Sequence, residues 1–274
     1  MSSRDAGPAA RHRLAVDIGG TTWAAGVLER GSLRVVGEGP TGHRHPRELA
    51  DLRETVRSWA AAAGPEATVG VSFPGATDGS GVVTAWPNRP DWTGSRLSSV
   101  LGLDDRAHLD IIDDGAAAIR GEMSLGAARD VRDLLVLTLG TGMGGGFLLD
   151  SGVRNGLPGD ARTLGHIRAL ASSRACSCGR RGCLQTALAA LPADDVLLER
   201  GTAAWPDGEG CLNVLADLAR VLGIRRILAT GGLLRRTAVR RFVRGGFAAR
   251  GLECVVPERP ERSSLLGALV RGTS

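Results

Sequence analysis

Four segments of this chain combine residue types and spacings that could carry chemistry. Two of them join Gly to Thr directly after an apolar run: Asp17-Ile18-Gly19-Gly20-Thr21-Thr22 and Gly140-Thr141-Gly142-Met143-Gly144-Gly145-Gly146. A turn stripped of side chains exposes successive backbone N–H groups, which form an anion-binding concavity, and Thr hydroxyls add donors. Asp17, at the end of the first apolar run, could hold Mg²⁺ through water, because Mg²⁺ favours a few carboxylates together with phosphate oxygens. Either segment alone would read equally well as an ordinary Gly-rich hairpin. Two of them in the same setting favour a pair of phosphate cradles. Neither is a P-loop, which needs a Lys that this chain lacks.

The third segment is Asp113-Asp114, at the end of an apolar run and just before a helical pattern. A carboxylate there could take the proton of a hydroxyl attacking a phosphoryl group. Asp is also a favoured helix N-cap, and on position alone the cap is the stronger reading. The fourth is the most specific: His166, Cys176, Cys178 and Cys183, spaced H-x9-C-x-C-x4-C. Three thiolates and an imidazole complete a tetrahedral zinc shell, and closed four-ligand shells are structural. Free thiols beside an unrelated His are the alternative. Gly179 and Gly182 suit the tight turns of so short a knuckle.

These residues need elements to hold them. Leu14–Ile18, Trp23–Leu28 and Ser32–Gly37 read as three strands, with the first Gly/Thr segment as the turn between the first two. Pro46–Ala63 reads as one helix on a stripe of Leu49, Leu52, Val56, Trp59 and Ala60. Strands follow at Thr68–Phe73, Val82–Thr84 and Leu109–Ile112, then a helix over Gly115–Leu125. Leu134–Leu139 and Gly144–Leu149 form a second strand pair around the second Gly/Thr segment. Helices at Leu212–Leu222 and Ala238–Ala249, a strand at Arg226–Thr230 and a terminal helix at Ser263–Arg271 complete the plan. Each half thus holds an apolar strand, a Gly/Thr turn and a returning strand, which is an internal duplication of architecture. Two α/β lobes with a cleft between them follow.

The 274 residues suffice for two modest cores. No run of about 18 apolar residues offers a membrane span, and Met1–Arg13 lacks the apolar stretch of a signal peptide. Five Cys, an odd number, argue against a disulfide framework and for a reducing cytoplasm and a metal. The formal charge of +5 comes from 34 basic residues, all of them Arg. They are scattered over the chain, and only 3% of residues are aromatic, so a nucleic-acid partner is not expected.

In this order, the motifs resemble those of the ROK family of sugar kinases and sugar-responsive repressors, within the actin-like ATPase superfamily. The resemblance runs from about Leu14 to Gly272. It rests on the two Gly/Thr segments, Phe73-Pro74-Gly75, Pro87-Asn88, Asp113-Asp114, Gly165-His166 with the Cys cluster, and Ala229-Thr230-Gly231-Gly232. It implies a two-lobed actin-like ATPase fold, related to ribonuclease H, with a duplicated βββαβα core. A tail at 1–12 would be disordered, 13–112 with 263–274 would form a small lobe, and 113–262 would form a large lobe carrying the zinc knuckle at 166–183. It implies ATP-dependent phosphorylation of a sugar-type hydroxyl, with Asp114 as catalytic base. Asp17, Gly19, Gly20, Thr21, Thr22, Thr141, Gly142, Gly144, Gly231 and Gly232 would hold the nucleotide and Mg²⁺. Gly75, Asn88, Asp113, Thr163, His166 and Gln185 would face the acceptor. The zinc ligands would be His166, Cys176, Cys178 and Cys183, and relatives are commonly homodimers. A repressor of this family would carry a DNA-binding domain ahead of the first phosphate motif, and only 16 residues precede Asp17.

The departures bear on the acceptor. The family usually has Glu where this chain has Thr163, often Glu where it has Gln185, and Asn where it has Asp113. Two carboxylates that bind ring hydroxyls are lost, and with them the discrimination they provide. One carboxylate is gained beside Asp114, where it would repel that charge unless a cation lies close. An acceptor bearing an ammonium group would meet that need. The expectation is an amino sugar of the kanosamine type, or a C7-cyclitol, in secondary metabolism. Glucose or another hexose is the alternative, and a catalytically silent sugar-binding protein a more distant one.

Overall fold

The computed structural model describes residues 13–42, 44–64, 67–103, 109–129, 131–150, 152–154, 163–171, 174–199 and 202–271. The tail expected at 1–12 lies outside them. The chain divides into two compact units. The first runs to Gly121 and resumes at Ser264, and the second is Glu122–Ser263. The passage therefore falls after Gly121, not after Ile112 as read from the sequence, and both Asp113 and Asp114 lie in the first unit.

The first unit is built on a five-stranded sheet. β1 (Arg13–Ile18), β2 (Thr22–Glu29) and β3 (Ser32–Pro40) form an antiparallel meander. After α1 (Ala50–Ala63) come β4 (Thr68–Phe73), a small hairpin of β5 (Ala76–Thr77) and β6 (Val83–Ala85), the short α2 (Leu97–Val100), β7 (Leu109–Asp113) and α3 (Asp114–Ser124). β4 and β7 add to β1 in parallel, giving the order β3-β2-β1-β4-β7. The central strands are apolar because both of their faces are covered. On one face Leu14, Val16 and Ile18 of β1 and Val69, Val71 and Phe73 of β4 pack against Leu52 and Val56 of α1. On the other, Ala15 and Ala24 meet Leu265, Ala268 and Leu269 of the terminal α7 (Ser263–Leu269).

One helix read from the sequence is two elements. Pro46–Glu48 is a 3₁₀ turn held by a capping box between His45 and Glu48, and α1 begins at Ala50. Leu49 between them leaves helical geometry, with ψ 58°, while its side chain is fully buried. The apolar stripe continued across the break because both pieces face the same core.

The second unit has a sheet of the same pattern. β8 (Leu134–Leu139), β9 (Met143–Leu149) and β10 (Gly152–Arg154) form the meander. α4 (Asp195–Glu199) and α5 (Pro206–Val221) precede β11 (Arg226–Thr230), and α6 (Thr237–Ala248) precedes β12 (Glu253–Val255). β11 and β12 again add in parallel, giving β10-β9-β8-β11-β12. The third-second-first-fourth-fifth order of the first sheet is repeated. All six residues of β8 are buried. α5 offers Leu212, Leu215, Ala216 and Ala219, and α6 offers Val239, Phe242, Val243 and Phe247, at the 3–4 spacing of a buried helical face.

Candidate active site and metal centre

In the first unit, the turn between β1 and β2 is closed by the Gly19 N–H donating to Thr22 O at 2.9 Å. Gly19 and Gly20 are half-buried, while Thr21 and Thr22 are exposed. The Thr21 carbonyl accepts from two further amides, Thr41 N at 2.8 Å and Gly42 N at 2.9 Å, so the loop after β3 is tied to this turn. Asp17 sits just before the turn, paired across the sheet with Ser72.

Asp113 ends β7 and Asp114 opens α3. The Asp113 Oδ1 accepts from Gly115 N (2.9 Å) and Ala116 N (3.1 Å), which is an N-cap of α3. The capping role anticipated for this dipeptide is therefore carried by Asp113. Asp114 also accepts from Gly115 N, at 2.8 Å. Its carboxyl is pushed well above the ordinary carboxylate range. Burial is the largest cause, the charges of Asp113 and Asp17 add to it, and the Gly115 N–H opposes it. Three carboxylates thus converge at one end of the first sheet, next to the first Gly/Thr turn. A set of one or two carboxylates beside phosphate oxygens is what Mg²⁺ takes.

Gly75 and Asn88 lie on loops around an aromatic cluster. Phe73 and Trp86 meet edge to face at 4.9 Å, and Trp86 meets Trp92 at 5.0 Å. Asn88 is exposed.

In the second unit, the β8–β9 turn is closed by Gly140 N donating to Gly142 O at 2.9 Å, with Thr141 exposed. Gly144 follows in β9, opposite Thr138. Gly231 and Gly232 follow β11, and Gly231 N donates to Pro260 O at 2.7 Å. The Thr138 and Thr230 hydroxyls, 3.1 Å apart and buried, join the ends of β8 and β11 beneath these turns. No spacing in the sequence pointed to that pair, because its members are 92 residues apart.

Thr163 precedes a 3₁₀ turn, Leu164–His166, and its side chain makes no cap. Gly165 lies so close to β9 that a Cβ there would overlap the Met143 carbonyl, which presses the turn carrying His166 against the second Gly/Thr segment. His166, Cys176, Cys178 and Cys183 converge, their ligand atoms all within 4.8 Å of one another. Cys176 Sγ is 3.4 Å from His166 Nδ1, and Cys178 Sγ is 3.7 Å from Cys183 Sγ. Sulfur at about 2.3 Å and nitrogen at about 2.0–2.1 Å from a tetrahedral zinc lie roughly 3.5–3.8 Å apart, so the donor set fits that ion in type, number and spacing. Gly179 (φ 82°) and Gly182 (φ 75°) make the left-handed turns of the knuckle.

The shell around these ligands includes Arg180, which donates to Cys178 Sγ at 3.5 Å and to His166 O at 2.9 Å. Burial acts to raise the Cys178 thiol, but hydrogen bonds from Arg180 and the neighbouring thiols outweigh it and bring it to about 7. Gln185 Nε2 donates to Cys176 Sγ and to Ser177 Oγ, each at 3.1 Å. Its amide is directed at the knuckle, as a donor to sulfur that a carboxylate could not be.

Comparison with known proteins extends this picture. The model of the ROK family matches residues 13–194. A kanosamine kinase of Amycolatopsis mediterranei is 34% identical, over 95% of this chain and 87% of that protein. A glucokinase of Thermotoga maritima is 32% identical, over 65% of this chain and 57% of its own length. The solved structure of a ROK family glucokinase from Streptomyces griseus, in complex with glucose and AMPPNP, superposes with a TM-score of 0.69 at 23% identity. It covers 94% of this chain and 97% of its own. At that identity the superposition speaks for the fold, an α/β actin-like ATPase architecture. A family model spanning both Gly/Thr turns and the whole Cys knuckle, and a relative one-third identical along nearly the entire chain, agree that the chain belongs to the ROK family.

Proposed function

We propose that this protein transfers the γ-phosphoryl group of ATP to a hydroxyl of an amino sugar. The observation that carries the reading is Asp114, a half-buried carboxyl at a strand–helix junction whose charge is disfavoured by desolvation and by Asp113 and Asp17. A carboxylate whose charge is disfavoured in this way takes a proton more readily than an ordinary one, which suits a general base. The acceptor O–H gives its proton to the Asp114 carboxylate as the oxygen attacks the γ-phosphorus. The bond from that phosphorus to the bridging oxygen breaks, and ADP leaves with the electron pair.

The half-buried Gly20 and the exposed Thr21 and Thr22 would offer donors to phosphate oxygens, as would Thr141, Gly142 and Gly144, while the Gly19 amide shapes the turn by donating to Thr22 O. Gly231 and Gly232 are assigned to the adenosine side. With no Lys in the chain, backbone dipoles carry the part that a P-loop gives to an ammonium. Asp17 would hold Mg²⁺ through water, and that ion, when bound, neutralises charge on the phosphate oxygens.

Gly75, Asn88, Asp113, Thr163, His166 and Gln185 are assigned to the acceptor. The kanosamine kinase relative and the carboxylate pair Asp113-Asp114 both favour an acceptor with an ammonium group. The second reading is a neutral hexose such as glucose, supported by the glucokinase relatives. His166, Cys176, Cys178 and Cys183 would hold a structural zinc, which would fix the His166 ring. A coupled ADP-release assay with kanosamine, glucose, N-acetylmannosamine and a C7-cyclitol tests the assignment. Kanosamine should give the highest kcat/KM; glucose leading by a wide margin ends the amino-sugar reading, and ADP release that no acceptor stimulates ends the kinase reading.

A further inference from the structure

Arg89 is 6% exposed, and its guanidinium lies over the paired rings of Trp86 and Trp92, 5.8 Å from the first centroid and 5.7 Å from the second. Four of its five N–H donors are used. Nε and Nη2 grip the two Asp91 oxygens at 3.1 and 3.0 Å, Nη2 also reaches Arg44 O at 2.6 Å, and Nη1 donates to Gly42 O. The ion pair holds the Asp91 carboxyl below its ordinary range, chiefly through the hydrogen bond from Arg89. A fork so nearly saturated has little left for a ligand. Its use lies in what it joins.

Gly42 is held at both ends. Its carbonyl takes the Arg89 proton, and its amide, with that of Thr41, donates to Thr21 O in the first Gly/Thr turn. On the other side, Arg89 adjoins Asn88 and caps the Phe73–Trp86–Trp92 cluster from which the Gly75 loop emerges. Only the Arg89 end of the ion pair is buried, Asp91 being exposed, so the guanidinium is a charge taken into the core, and the best-attested use of such a group is to fix register.

We infer that Arg89 is a positioning residue that clamps the acceptor-side loops, Phe73–Gly75 and Pro87–Asn88, to the phosphate turn at Thr21, setting acceptor oxygen and phosphoryl group in one frame. The inference rests on the phosphoryl-transfer reading above. A misplacement of about 1 Å between reacting groups can cost on the order of 100-fold, so the clamp acts on catalysis without touching either substrate.

The test compares wild type with Arg89→Met, which keeps the apolar stem, and Arg89→Lys, which keeps the charge over the rings but cannot span three acceptors. ADP release with the acceptor that wild type prefers yields KM for acceptor and for ATP, and kcat. Hydrogen exchange follows the Thr41 and Gly42 amides with no substrate present. Both variants should raise the two KM values together, by about tenfold or more, lower kcat, and deprotect Thr41 and Gly42. A lower melting temperature with unchanged kinetic constants, full rescue by Lys, or a rise in acceptor KM alone with Thr41 and Gly42 still protected would each overturn the clamp. Should Arg89→Met fail to fold, Arg89→Lys carries the same comparison. A wild type inactive on every acceptor sinks the kinase reading instead, and the exchange measurement still reports on the clamp.

Discussion

At residue scale, the adjacent carboxylates Asp113 and Asp114 do different work although their side chains are identical. Asp113 satisfies two amides of the α3 N-terminus, while Asp114 accepts from Gly115 but bears desolvation and the repulsion of its neighbours. A base disfavoured as an anion costs the fold stability, which gives Asp114→Asn two separable effects. Phosphoryl transfer should fall by about 10²–10⁴-fold, the usual contribution of a positioned base. Stability should not fall. The native carboxyl is raised above its unfolded value of about 3.9, so the stability it contributes is complete below that value and is lost as pH rises through the raised one. In thermal melts without Mg²⁺, Asp114→Asn should therefore exceed wild type at pH 7.5, and the gap should narrow as pH falls. A variant less stable than wild type at neutral pH would mean that Asp114 serves the fold and not the chemistry.

At the scale of elements, chemistry-bearing side chains are held by close backbone contacts. Gly165→Ala places a methyl group against the Met143 carbonyl, and neither a flexible side chain nor an adjustable rotamer is there to yield. Overpacking of this kind costs about 1–3 kcal/mol, read as a lower denaturant midpoint, and it should displace His166 enough to lower zinc content by elemental analysis. Metal retained in full would show that the 3₁₀ turn is more pliant than its packing suggests. What the sequence revealed of such elements followed from burial. β1, β4, β8 and β11 were legible because strands covered on both faces are written in near-continuous apolar runs. The Cys knuckle was legible because its ligands are local. The break at Leu49 was not, since a residue can leave helical geometry while keeping its side chain in the core. β12, three residues long, and α4, five, are too short to show a period. Arg89 was missed although Trp86 and Trp92 stand three residues to either side of it, because its acceptors, Gly42 and Arg44, are carbonyls that composition does not reveal.

At the scale of the whole molecule, one strand order serves two units, and each buries its own core. The chain passes from one unit to the other after Gly121 and returns at Ser264. Next to these passages, Ser263 Oγ donates to the buried Glu122 Oε1 at 2.6 Å. Ser263→Ala leaves that carboxylate oxygen without its donor and should cost about 1–3 kcal/mol in urea unfolding; a cost near zero would mean that water replaces the hydroxyl. Separate cores also predict where the loss of the proposed zinc would be felt. The knuckle leads straight into the 3₁₀ segment Leu184–Ala190, whose Ala187 carbonyl accepts from the buried Trp205 indole at 2.9 Å. Trp205 in turn packs on Phe242 of α6, so the metal ligands are two contacts from the centre of the second core. The apolar contacts of β1, β4 and α1 include no residue of this chain of contacts. Treating the protein with a strong chelator should therefore raise hydrogen exchange over 164–190 and in α5 and α6, while β1, β4 and α1 stay protected, and added zinc should reverse the change. Uniform loss of protection across both units would instead make zinc a condition for the whole chain to fold, and no change anywhere would remove the metal from the four ligands altogether.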